Sequence, residues 1–349
     1  MGGTAEGLGR LPSRASCVKG RFLRNLIFGG VGFVGLNIAE AMLAKGDDVV
    51  VFDRMALPAA IGQAFSRLPG RLTAVQGDVT DKVAIAEMVQ PGVDVIIMGA
   101  AITAGAARDA RDPETILQVN LLAQVPILEA ARAAGVRRVV NLSSAAAYGV
   151  AGERYPELDE ETPSNPVSLY AISKWASERV GARLADLWGL DLVSLRLSGV
   201  FGPWERATGV RDTLSPQSQI LAAAGKGEPA ILPRPGLRDW IYAPDLAEAV
   251  RIVAGAPALR HRLYNISTAR RFAALEWGQA LAANFPGFIC RLAGAGEAAT
   301  IDLHGPGDRA PLSTLRMKEE FGWAAATGMA ESANGLAAWW RVHGRGLGR

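Results

Sequence analysis

The sequence predicts an α/β protein, a doubly wound parallel sheet followed by a smaller C-terminal substrate-binding lobe. Three observations carry this prediction. From Asn25 to Leu197, short runs of Val, Ile and Leu alternate with helical patterns, as strands covered on both faces require. The first run leads straight into a glycine-rich turn, and the second closes on an aspartate. Beyond Ser198 the alternation loosens into Gly-, Pro- and Arg-rich stretches between helices, the mark of a differently built second part.

The elements follow in order. Residues 1–24 carry Gly, Ser and Arg without periodicity or an apolar signal-peptide core, and are expected to be a flexible tail outside the fold. Leu26 to Phe28 is the first strand, Gly29 to Gly35 the turn, and a helix runs on through Lys45. Further strands are expected at Asp48–Asp53, Leu72–Val75, Val93–Met98, Arg138–Leu142 and Asp191–Leu197, with gaps long enough for crossover helices. Helical patterns rich in Ala, Leu and Val cover 115–134 and 168–187. The expected division is 25–197 for a dinucleotide-binding domain and 198–349 for the substrate lobe, with 238–255 returning to the first domain.

Composition excludes several classes of function. The 349 residues are 49% apolar and 20% charged, which suits a folded globular protein rather than a disordered one. No apolar run nears the roughly 18–20 residues that cross a bilayer, so no membrane span is expected. The net charge of +3 is spread over dispersed arginines, and no nucleic-acid interface is expected. Cys17 and Cys290 cannot form a disulfide framework, which fits a reducing, cytoplasmic setting. His261, His304 and His343 are scattered, so no metal site is predicted.

The turn Gly29-Gly30-Val31-Gly32-Phe33-Val34-Gly35 has G-x-x-G-x-x-G spacing between a strand and a helix, a Rossmann-type arrangement. Glycines there let the backbone approach a pyrophosphate, whose charge meets the helix N-terminus. Asp53 ends the second strand 18 residues after Gly35, where a carboxylate accepts hydrogen bonds from an adenosine ribose. It would repel a 2′-phosphate, so NAD is favoured over NADP, with Arg54 next door partly offsetting the repulsion. Asp78 and Val79 follow the third strand, where they can meet the adenine. Ala100 and Ala101 follow the fourth, leaving room for a ligand.

Tyr170 and Lys174 are four apart on a helix and share a face. A neighbouring ammonium favours phenolate, so Tyr170 is the candidate base. Ser143 and Ser144 end a strand 26 residues upstream, where a hydroxyl could hold the substrate oxygen or cap the next segment.

With these residues assembled, the chain resembles the extended short-chain dehydrogenases/reductases of the NAD-dependent epimerase/dehydratase group, which includes UDP-glucose 4-epimerase. The likeness runs from about Asn25 to Trp340 through GGVGFVG, SSAAAYG at 143–149, YAISK at 170–174 and LRLSGVFGP at 195–203. It continues through RDWIYAPDLAEAV at 238–250, LYNIS at 263–267 and EEFGW at 319–323. The resemblance implies that the glycines, Asp53 and Asp78 hold NAD and that Asn120 supports the site beside the cofactor. It implies catalysis by Ser144, Tyr170 and Lys174, and homodimers paired through the helices at 115–134 and 168–187.

Departures from the family pattern are informative. Ala145 and Ala146 stand where the group's dehydratases carry an acid, which disfavours elimination. Gly199 occupies the place of an Asn that contacts the sugar nucleotide, and His304-Gly305-Pro306-Gly307-Asp308 lacks the arginine that grips the diphosphate. Arg238 is retained. Arg206, Arg211 and Arg238 are the expected grips for a carboxylate or phosphate, beside Gly199 and Ser144. The expected activity is hydride transfer at a secondary alcohol of a sugar or nucleotide-sugar-like substrate, in an epimerase-like cycle. The alternatives are a net dehydrogenase of a non-nucleotide sugar, polyol or sugar acid, and a non-catalytic NAD-binding sensor.

Overall fold

The computed structural model describes residues 22–305 and 307–344. Of the predicted tail, only Phe22, Leu23 and Arg24 fall within them. Leu23 packs against the core and Arg24 opens the first strand, so the ordered chain starts slightly earlier than expected; the remainder of that expectation lies outside the described residues.

The first half alternates as its hydrophobic pattern dictates. Its elements are β1 (Arg24–Phe28), α1 (Phe33–Ala44), β2 (Asp48–Asp53), α2 (Ala59–Phe65), β3 (Arg71–Gln76), α3 (Lys82–Met88) and β4 (Val95–Met98). Then come α4 (Ala106–Arg111), α5 (Pro113–Leu117), α6 (Gln124–Ala134), β5 (Arg138–Ser144), α7 (Ala151–Arg154), α8 (Leu169–Trp188) and β6 (Leu192–Leu197). The second half adds β7 (Val200–Phe201), α9 (Pro216–Lys226), β8 (Ala230–Leu232), β9 (Leu237–Arg238), β10 (Ile241–Tyr242), α10 (Ala243–Gly255) and β11 (Leu263–Ile266). It closes with β12 (Phe272–Ala273), α11 (Ala274–Ala282), β13 (Cys290–Leu292), α12 (Leu315–Phe321) and α13 (Met329–His343).

The main sheet has seven strands in the order β11-β6-β5-β4-β1-β2-β3, all parallel. One face packs Ile27, Val51, Val140 and Val193 against α1 and α10; the other packs Leu26, Phe52, Ile96 and Val139 against α6. Two-sided burial is why these strands read as unbroken apolar runs. Strand order reverses between β1 and β4, and in such sheets the crevice beyond the strand C-termini at that point receives ligands.

The chain returns from the second lobe to the first twice, with α10 and β11 and again with α12, which packs on β11. After β9 and β10 it runs into α10, which lies against α1, and β11 then joins the main sheet beside β6. The second lobe packs α9, α11 and α13 around Trp277, Phe201 and Trp240. Among the described residues no helix is long and apolar enough to cross a membrane.

One predicted helix differs. The pattern at 115–134 is not continuous: α5 and α6 are separated by a π-helical turn over Gln118–Leu122, with Asn120 buried in it. Such turns insert one residue into the helical repeat and re-aim the side chains around it.

Candidate active site

The site is a channel along the C-terminal edge of the main sheet. Its first cavity, about 160 Å³, lies among Gly29, Gly32, Asp53, Arg54, Asp78, Val79, Ala100 and Ala101. A second, about 150 Å³, is lined by Gly29, Gly32, Phe33, Val34, Gly35, Ala101, Tyr170 and Lys174. A third, about 790 Å³, opens onto the second lobe, with Ser144, Tyr170, Gly199, Arg211, Arg238 and Arg309 on its walls. Neighbouring cavities share residues, and Tyr170 stands where the second meets the third.

The glycine turn is built for close approach. Gly29 adopts φ +76°, and a Cβ there would lie 2.5 Å from the Ala100 nitrogen. A Cβ on Gly35 would lie 2.4 Å from the Gly29 carbonyl oxygen. Gly32 caps α1 with no side chain to satisfy the first-turn N–H groups, and no acid occupies that turn. Those donors remain for an anion. The buried Asp53 carboxylate accepts the Val31 N–H and the Met55 N–H, each at 3.1 Å, through different oxygens. Each oxygen keeps a lone pair for a ribose hydroxyl. Asp78 accepts both the Thr80 N–H and its hydroxyl at 2.8 Å, which fixes its carboxylate at the cavity wall. These features fit a nicotinamide dinucleotide.

Ser144, Tyr170 and Lys174 come together from β5 and α8. Helix α8 starts on Ser168, whose hydroxyl accepts the Ala171 N–H at 3.2 Å, and stops on Gly189 in left-handed conformation. Its first two turns therefore present Tyr170 and Lys174 at fixed depth. Ser144 accepts the Ala146 N–H at 3.1 Å. The Tyr170 pKa is raised by burial, against hydrogen bonds from Ser144 and Thr103 and the charge of Arg211. Arg211 is thus a further cation near this hydroxyl, besides the Lys174 to which the sequence pointed. Lys174 donates to the Leu142 carbonyl at 2.8 Å, with its Nζ 5.9 Å from the Tyr170 ring centre. Burial lowers its pKa to about 8, with Glu178 pulling the other way.

Glu178 escaped the sequence reading, though it continues the spacing of Tyr170 and Lys174 by four more residues. It is buried, takes a hydrogen bond from Ser143, and binds Arg196 through Nε at 2.9 Å and Nη2 at 2.7 Å. Ser143 is thereby engaged beneath the cleft, and Ser144 is the serine beside Tyr170.

Two expected contacts lie elsewhere. Asn120 lines none of the three cavities. Its amide accepts the Ile102 N–H at 2.7 Å and donates to the Ile102 carbonyl at 2.9 Å and to Ser173 at 3.2 Å. It is a strut that pins the loop after β4 to α8. Arg206, expected at the substrate, donates to the Val31 carbonyl at 2.8 Å and lines the second cavity, close enough to Asp53 to feel its charge. The chain after Trp204 folds back over the glycine turn, which sequence spacing could not reveal.

Arg211 stays at the junction, paired with buried Glu205 at 3.2 Å and donating to the Thr213 carbonyl at 2.9 Å. Arg238 lies over the Trp240 ring at 5.0 Å; burial first, then Arg309, lowers its pKa to about 10. Gly199 has a physical reason: a Cβ there would lie 2.5 Å from the Trp240 ring, which fills the space of a larger residue. Arg309 was not anticipated. Fully buried Asp239 and Ser198 hold its Nη2 at 2.6 and 2.9 Å, and it lines the large cavity close after the segment that lacks an arginine.

A parallel sheet with this turn, this aspartate and a Ser/Tyr/Lys group at the strand ends defines a nicotinamide-dependent enzyme of the short-chain type. The comparisons agree: the sequence model of the NAD dependent epimerase/dehydratase family matches residues 25–267, and the chain belongs to that family. It is 28% identical over 313 residues to UDP-glucose 4-epimerase of Mycolicibacterium smegmatis, covering 88% of this chain and 96% of that one. It is 26% identical over 316 residues to a dTDP-glucose 4,6-dehydratase of Xanthomonas campestris, covering 86% and 88%. Among solved structures, MoeE5 in complex with UDP-glucuronic acid and NAD superposes with TM-score 0.74 at 25% identity, over 91% of this chain and 99% of that one. WbmH of Bordetella bronchiseptica, in complex with NAD+, gives 0.70 at 26% identity, over 93% and 100%.

Proposed function

We propose that the protein is an NAD-dependent epimerase that works by reversible hydride transfer at a secondary alcohol of a sugar or nucleotide sugar. The observation that carries this reading is the position of Tyr170, between the cofactor cavities and the substrate cavity, with Ser144 at its hydroxyl. Bound NAD supplies the hydride acceptor and, on return, the donor. Ser144 holds the substrate oxygen while Tyr170 takes its proton, and the proton goes back when the carbonyl is reduced. Arg211 favours the phenolate, and Lys174 anchors the nicotinamide ribose. Asp53 receives the adenosine ribose and disfavours a 2′-phosphate. Arg238 and Arg309 offer guanidinium groups to an anionic part of the substrate. A third cavity of about 790 Å³ suits a ligand larger than a monosaccharide. The epimerases among the relatives favour epimerisation over net oxidation, and Ala145 and Ala146 leave no acid for elimination at that point.

A second reading, a net dehydrogenase of a smaller sugar acid, draws on Trp240, which fills the space beside Gly199. The deciding experiment denatures the purified protein, quantifies released NAD(H) per subunit, and assays UDP-glucose and free uronic acids. Near-stoichiometric cofactor with UDP-sugar interconversion and no net NADH supports the epimerase. NADH accumulating with a free sugar acid overturns it.

The dimer belongs to this proposal as well. Leu122 on the π-helical turn, with Ile172 and Leu187 on α8, is exposed, an apolar set that a second copy would cover. The scarcity of cysteines fits a reducing compartment, and we place the protein in the cytoplasm.

A further inference from the structure

We propose that Arg108 and Asp212 form a clasp across the cofactor channel, and that this clasp decides whether the abstracted hydride is returned within the same active site. The inference rests on the NAD-dependent reading above and adds what holds the cofactor in.

Two remote segments close the outer side of the channel. One is the loop after β4, which leads into α4; the other is 204–212, which joins the lobes. The second segment is anchored at its start, where Trp204 donates to Glu40 at 2.7 Å and Arg206 donates to the Val31 carbonyl at 2.8 Å. Its Val210 lines both cofactor cavities. At the far end the two segments zip together. The Thr103 N–H donates to the Val210 carbonyl at 2.8 Å, and the Asp212 N–H to the Thr103 carbonyl at 3.2 Å. Asp212 accepts the Gly105 N–H at 2.8 Å through one carboxylate oxygen and pairs with Arg108 at 3.2 Å through the other. Arg108 also donates to the Gly209 carbonyl at 2.9 Å.

A single surface ion pair stabilises little. Here the pair braces both flanks of a backbone bridge, and a dinucleotide spanning the first two cavities cannot leave sideways until the bridge parts. Closing also has a catalytic consequence. Thr103 and Arg211 are bridge partners, and both act on the Tyr170 hydroxyl. An open clasp therefore releases cofactor and disassembles the surroundings of the base together. A cycle that keeps its hydride needs the closed form through both transfers; one that sheds NADH needs it to open every turnover.

The test loads the full-length protein with NADH and follows its release by fluorescence on mixing with excess NAD+. Arg108→Ala and Asp212→Ala are each expected to speed release about tenfold. The double variant should be no faster than the quicker single one, since each change breaks the same brace. Both variants should keep the wild-type melting temperature within a few degrees, and NADH should now leak into solution during turnover. Release at the wild-type rate in both variants, or strictly additive effects, overturns the clasp while leaving the cofactor reading intact. A wild-type protein that binds no NAD(H) overturns both.

Discussion

At the scale of single residues, Tyr170 is surrounded by groups from three other parts of the chain, and each changes what its hydroxyl can do. Burial alone would hold it protonated; Ser144, Thr103 and Arg211 oppose that. Tyr170→Phe removes the proton acceptor and leaves the glycine turn untouched. Turnover is expected to fall about 10³-fold while NAD binds nearly as before, checked by steady-state assay and calorimetric titration. Lys174 gives a pH signature. Its pKa lies near 8, below the usual lysine value, so its charge is lost as pH rises through about 8. The kcat/KM profile should carry an alkaline limb there. Glu178 raises that value, so Glu178→Gln should move the limb to lower pH, and an unmoved limb would show that another group titrates. The same shift has a sign for stability. Between about 8 and the unfolded lysine value the unfolded chain binds more protons, so this group adds stability as pH rises.

At the scale of elements, the site depends on how strands stop and helices start. The α1 N-terminus lacks a side-chain cap, so its free N–H groups face the turn that Gly29 and Gly35 make narrow. Gly35→Ala sets a methyl 2.4 Å from the Gly29 carbonyl oxygen, and NAD retention on purification should be lost. The π-helical turn at Gln118–Leu122 does a different job. By turning Asn120 inward it satisfies both the N–H and the carbonyl of Ile102. Asn120→Ala leaves these buried groups unpaired, and urea denaturation should report a loss of about 1–3 kcal/mol. Glycine spacing and the strand-to-helix switch were visible in the sequence because they are local. The π-helical turn was not, since an apolar pattern does not record one inserted residue.

At the scale of the whole molecule, the walls of the candidate site come from both lobes. The first lobe supplies the glycine turn, Asp53 and the Ser/Tyr/Lys group; the second brings Arg238, Trp240 and Arg309 to the far wall. Exposed Leu122, Ile172 and Leu187 predict a dimer through the π-helical turn and α8. Leu187→Arg should shift the protein from dimer to monomer in size-exclusion chromatography with light scattering, without loss of NAD binding. A wild type that elutes as a monomer removes that surface from the proposal.

The sequence by itself determined the parallel sheet, the dinucleotide turn, the acidic end of β2 and the Tyr170–Lys174 pair. Each is a short-range pattern, set by strand burial, helix period or the steric needs of a turn. Only the tertiary structure decided that Asn120 is a strut, that Arg206 lies on the cofactor side, and that Arg309 reaches the large cavity. Those outcomes depend on segments about 50 to 180 residues apart meeting in space. No spacing rule records such meetings, because packing of the two lobes brings them about.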